Sequence, residues 1–175
     1  MDPTSLFGLQ FTFSLILCTM VARWYVVPAL RRLEVHAALT PLFLVHAMRY
    51  LPSSAFAPGQ VDAHIPGAPM AAIAYGDLAS AALALVAVVF LRYRLPRAIA
   101  VAWLVNVVTS LDWLYASFLA ASSRLATYAM GGNWYIINYY VPLIAVVHVM
   151  IFARLIHERV DEHGTGNCAE ASPRS

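Results

Sequence analysis

The chain contains no lysine: all 11 of its basic residues are arginine. Schiff-base lysine chemistry on retinal, pyridoxal sites and the P-loop lysine are therefore excluded. Charge of either sign is scarce, at 11% of 175 residues, against about 25% in a soluble domain. Cysteine is scarce too. Cys18 lies in an apolar run and Cys168 in a polar C-terminal stretch, so the two sit at different levels and no disulfide is expected. No CxxC, no HExxH and no clustered histidine motif occurs, so the sequence offers no metal-ligand signature. The arginines are scattered rather than gathered into a basic face, which argues against nucleic acid as a partner.

Apolar residues are abundant. They make up 61% of the chain, where soluble domains average about 45–50%, and the mean hydropathy is +0.69. A soluble fold of this length would carry a large apolar excess on its surface, and a disordered chain is poor in such residues. The composition predicts an all-α integral membrane protein of the cell membrane, with the lipid bilayer as its first partner.

Five apolar runs, 6–27, 33–51, 70–91, 98–119 and 135–156, each approach the roughly 20 residues that cross a bilayer. They predict a five-helix transmembrane domain over 1–157 and a disordered cytoplasmic tail over 158–175. The second run is the shortest and carries Pro41, where a kink is expected. The first run reads as an uncleaved span, because Met1–Ser5 has no positive charge and no A-x-A pattern follows. Arg23, Arg31, Arg32, Arg92, Arg94, Arg97, Arg154 and Arg159 fall on one side of these spans, and only Arg49 and Arg124 on the other. The positive-inside rule makes the first side cytoplasmic, with the N-terminus outside and the C-terminus inside. Trp113, Tyr115, Trp134, Tyr135, Tyr139 and Tyr140 form an aromatic belt towards the outer surface. The outer loop 52–69 is long and rich in proline and glycine, as lids and binding loops often are.

Ionisable groups within a membrane cost about 2.5–3.5 kcal/mol each at mid-helix and point to function by default. Leaving aside the charges at the arginine-rich ends, three charged residues fall within the spans: Arg49, Asp77 and Asp112. Counting from the run ends at about 1.5 Å per residue, Arg49 is about 3 Å deep, His46 and Tyr75 about 8 Å, Asp77 and Asp112 about 10 Å and Asn138 about 5 Å. Polar groups from four helices thus share one layer of the outer half. His46, Arg49 and Tyr50 share a helix face, and Asn106, Thr109 and Asp112 form a stripe at i+3 steps.

Two carboxylates beside a histidine make Asp77, Asp112 and His46 candidates for acid/base work. Arg49, Tyr75, Asn106, Asn138 and Tyr139 are candidates for ligand binding, with Arg49 holding an anionic or carbonyl group. An Arg49–Asp77 pair that only fixes helix register competes with this reading. Haem ligation by two histidines is disfavoured, because His46 at about 8 Å and His148 at about 20 Å lie at unequal depths. For His148 a bond to Asn106, at similar depth, is the simpler expectation. The function expected is binding or transformation of a lipid-like or amphipathic small molecule in a polar pocket of the outer half. The alternatives are a non-catalytic subunit with a membrane-protein partner or a second copy of itself, a proton or ion pathway, and, behind these, a b-type cytochrome.

Overall fold

The computed structural model describes residues 2–170, with side chains through Glu158. All regular structure among the described residues is helical. Helix α1 (Pro3–Arg31) starts on Asp2, whose carboxylate caps it by accepting from the Ser5 backbone N–H at 3.1 Å. A proline in the first turn costs nothing there, since that N–H has no intrahelical partner. After the turn at Leu33, α2 (Val35–Ala47) leads directly into a 3-10 segment, Met48–Phe56. Then come α3 (Gly67–Arg92), α4 (Ala98–Ser122) and α5 (Asn133–Glu158), the last of which continues to Glu170. Of the tail expected over 158–175, residues 171–175 lie outside the described residues.

Four of these helices, α1, α3, α4 and α5, are long and apolar enough to cross a membrane. Each contains one of the expected spans and overshoots it at one end or both. The remaining expected span, 33–51, is different in kind. Its α-helix stops at Ala47, because Pro52 withholds an N–H and biases Leu51 away from the α region. The chain tightens into 3-10 geometry instead, for nine residues, well beyond the usual three or four. Pro41 lies inside α2 without ending it.

Prolines leave a second mark. α1 and α5 each contain one π turn, Ala22–Val26 and Ile136–Tyr140. Each turn ends two residues before a proline, Pro28 or Pro142. The missing proline N–H removes an i→i−4 bond, and the preceding backbone rebonds with a wider step.

Helices α2, α3, α4 and α5 close a ring in which each touches the next, and α1 leans on α5 from outside. At the arginine-rich end the ring is filled by Leu39 and Phe43, Ala84, Ala87 and Leu91, Ala102 and Val105, and Val147, Ile151 and Leu155. Fully buried alanines let α3 lie close to its neighbours, as small residues do in membrane bundles. Gly76 serves the same purpose higher up: a Cβ there would collide with the Asp112 carboxylate. At the other end a smaller cluster of Ala55, Met70, Leu125 and Met130 joins the loops. The Asp62 N–H donates to the Ala129 carbonyl at 2.8 Å and fastens the 57–66 loop to the 124–132 connection.

Candidate functional site

Among the described residues Arg49 is the largest fully buried side chain, and it carries a charge. Its 3-10 segment faces α3 and α4, and its guanidinium joins all three elements. Nε donates to Asp77 Oδ1 at 2.7 Å, Nη2 to Asp112 Oδ2 at 2.6 Å, and Nη1 to the Thr109 carbonyl at 2.9 Å. Nη2 also lies 2.7 Å from Asp77 Oδ1. The Ser80 hydroxyl donates to Asp112 Oδ2 at 2.9 Å. Two carboxylates therefore share one guanidinium, with side chains 13% and 23% exposed against 2% for Arg49. In so dry a place such charge-assisted bonds are short and strong.

The three charges are level. From the helix ends observed, Arg49 is about 14 Å in, and Asp77 and Asp112 about 15 Å. The sequence count put Arg49 near the surface because it ended the second run at residue 51. The 3-10 extension to Phe56 carries Arg49 and His46 deeper. The same correction removes the depth mismatch between His46 and His148, whose rings lie 4.2 Å apart, centroid to centroid. At that separation no haem iron fits between them as trans axial ligands.

His148 Nδ1 lies 2.9 Å from Asn106 Oδ1 and 2.9 Å from Ser110 Oγ, so the expected Asn106–His148 contact is present. His46 is fully buried, and neither of its ring nitrogens has a hydrogen-bond partner. It meets the His148 ring and makes no bond to Asp77 or Asp112. The acid/base trio expected from the sequence is thus divided, with Asp77 and Asp112 joined through Arg49 and His46 in a separate histidine pair.

A cavity of about 600 Å³ reaches the ionic cluster from the loop end of the bundle. Arg49 and Asp77 lie at its buried end, and Phe7, Phe11, Met70, Ile73, Trp113 and Ile137 give it apolar walls. Asn133 and Arg124 line it near the loops. α1 is held there by Trp134, whose Nε1 donates to Gln10 Oε1 at 2.7 Å. Two polar atoms of lining residues lack hydrogen-bond partners, Asn133 Nδ2 and Trp113 Nε1.

Other expected binding residues lie elsewhere. Tyr75 is 63% exposed and stacks on Phe56, and Tyr139 is 59% exposed. Both point out of the bundle, where a membrane-level aromatic is at home. The π turn before Pro142 sets the face here, since Tyr140 points inward and donates to the Val45 carbonyl at 2.7 Å. Asn138 is buried but donates to the Trp134 carbonyl one turn back, at 2.9 Å. Asn106 serves His148 and does not line the cavity. Sequence reasoning missed Ser80, Ser110, Trp113 and Asn133. Ser80 lies about one turn beyond Asp77 and Ser110 one turn beyond Asn106, so the helical spacing of the buried polar residues would have pointed to both.

The chain belongs to the family DUF8737, described as a domain of unknown function, whose model matches residues 6–156. The match covers every residue of the cavity and the ionic cluster except Thr4. No curated protein and no solved structure matches the chain.

Proposed function

We propose that this is a five-span membrane protein, N-terminus outside, that binds an amphipathic, lipid-like molecule in a pocket of its outer half. The observation that carries this reading is the cavity of about 600 Å³ with apolar walls and a charged floor. Its volume is in the range of small-molecule sites, about 300–1,000 Å³, which combine apolar walls with a few placed polar groups. The unpartnered Asn133 amide and Trp113 indole nitrogens add donors that a ligand oxygen would satisfy. α2 and the 3-10 segment together, at about 1.5 Å and 2.0 Å per residue, give on the order of 37 Å, enough for the fifth crossing. Asp77, at the cavity floor, is the group for any proton transfer to the ligand, and Asp112 acts on it through Arg49.

A through-going proton or ion pathway is disfavoured. Beyond the histidine pair the ring is filled by Leu39, Phe43, Ala84, Val147 and Ile151, and among the described residues no chain of polar groups crosses that layer.

A second reading has its own support. Arg49 ties its own segment to both α3 and α4, as expected if the cluster only locks helix register in a subunit of a larger complex. Asp77→Asn separates the two. The pocket reading expects the variant to stay folded in mild detergent and to lose the small molecule that native mass spectrometry finds on the wild-type protein. A fall in thermal stability with the bound molecule retained supports the register reading instead. Fusing a reporter to the C-terminus tests orientation, and activity of a periplasm-dependent reporter there overturns it.

A further inference from the structure

Resting on the pocket reading, we infer that the buried end of the cavity selects a cationic head group, so that the ligand is an amphipathic amine held by the free oxygen of Asp77. The argument is a charge count joined to a count of bonds. The cluster holds one guanidinium and two carboxylates, an excess of one negative charge when both are ionised. Charge in a dry site demands a partner, and a surplus carboxylate there is met by a proton or by a cation.

The surplus faces the cavity. Asp112 does not line it: Asp112 Oδ2 accepts from Arg49 and from Ser80, and its Oδ1 lies against Gly76 of α3. Asp77 does line it. Asp77 Oδ1 is taken by Arg49, whereas Oδ2 accepts no hydrogen bond from the described residues. Arg49 is poorly placed to receive an anion, because its Nε, Nη1 and Nη2 are all engaged. An incoming carboxylate or phosphate would find one spare Nη1 N–H at most, with two carboxylates beside it to repel it. Tyr140, the nearby phenol, spends its proton on the Val45 carbonyl. Phe7, Phe11 and Trp113 are among the cavity walls, and aromatic ring faces attract a cation as aliphatic walls do not. Arg124 and the unpartnered Asn133 amide line the cavity as well, so the molecule's acceptor atoms belong at the rim and its donor at the floor.

Three tail-matched probes, decylamine, decanol and decanoate, test this on the full-length protein in nanodiscs. Binding is read by quenching of tryptophan fluorescence, with Trp113 and Trp134 in the walls. The expected result is that decylamine binds about tenfold or more tightly than decanol, a difference of about 1.4 kcal/mol, and that decanoate binds weakest. Asp77→Asn abolishes the preference. Asp112→Asn, which leaves the lining intact but removes the surplus charge, reduces it as well, and should either variant fail to fold the other carries the test. Ala116→Trp, which fills the cavity, abolishes binding of all three and separates the site from partition into lipid. Equal binding of decylamine and decanol, or tightest binding of decanoate lost in Arg124→Ala, overturns the cationic head while leaving the pocket. No binding that Ala116→Trp can remove overturns the pocket itself.

Discussion

Arg49 is expected to be the most sensitive single residue. Replacing it with alanine leaves two buried carboxylates face to face, and breaking a buried ion pair on one side costs about 3–5 kcal/mol. Arg49→Lys restores the charge but not the planar fork that meets Asp77, Asp112 and the Thr109 carbonyl at once, so thermal unfolding in detergent should rank wild type above lysine above alanine. The two histidines are expected to part company under the same assay. His46 makes no hydrogen bond, so His46→Leu removes buried polar atoms without orphaning a partner and should be neutral or stabilising. His148→Leu strands Asn106 and Ser110, at about 1–3 kcal/mol for an unsatisfied buried polar group. A larger loss at His46 than at His148 would show that His46 has a partner of its own.

Arg49, Asp77 and Asp112 were legible in the sequence because charge is so scarce that each buried instance stands out. Their depth was not legible. A hydropathy run ends where polar residues begin, at Pro52 and Ser53, whereas the helical path continues to Phe56, and counting from the wrong end moved His46 away from His148. Tyr75 and Tyr139 were misplaced because depth was counted and face was not: Tyr75 is two residues from Asp77, about 200° round α3, and is exposed. A helix face read at a constant period fails at a π turn, and in 136–140 the shift of one residue brings Tyr140 inward and leaves Tyr139 outside.

At the scale of elements, Pro142 sets how the top of α5 meets the cavity. In Pro142→Ala an ordinary i→i−4 bond becomes available, and the 133–138 stretch is expected to rotate as the π turn relaxes. Trp134 would then leave Gln10, seen as a red shift of tryptophan emission and weaker ligand retention. Unchanged emission would mean that packing, not the proline, holds the turn. The loops carry a pH dependence of their own. The backbone N–H of His64, 2.8 Å away, and then the His64 ring hold the Asp62 carboxyl below its usual range. A depressed carboxyl stabilises the folded loop above its ordinary value and loses that contribution as pH falls through the lowered one. The 57–66 loop should therefore stay fastened at neutral pH and loosen only in strong acid, as hydrogen exchange at Asp62 and its neighbours would report.

The whole molecule is a ring of four helices with a fifth laid on its flank, and the two halves of the ring differ. The loop half holds the cavity and the ions, and the arginine-rich half is a dry plug of alanine, valine, leucine and isoleucine. Vesicles reconstituted with the protein should leak protons no faster than protein-free vesicles, and a dye-reported flux above that level would revive the pathway reading. α1 is the least embedded of the four long helices, with 11% of its span buried, yet it supplies Phe7 and Phe11 to the cavity wall. It is the wall best able to move aside, and Gln10→Leu, which cuts its bond to Trp134, should speed ligand exchange in stopped-flow measurements.

The partners of Arg49 lie 28 and 63 residues further along the chain, which bears on how the protein enters its membrane. During synthesis the segment bearing Arg49 is made first, then α3 with Asp77, then α4 with Asp112. In the five-span reading Arg49 alone is a charge at mid-membrane depth, opposed by about 2.5–3.5 kcal/mol on insertion scales, and it stays unpaired until α3 brings Asp77. The Arg49 segment should therefore linger at the insertion machinery or the membrane edge until α3 is available. Chains truncated before α3 should fail to integrate that segment, and chains that include α4 should integrate it fully.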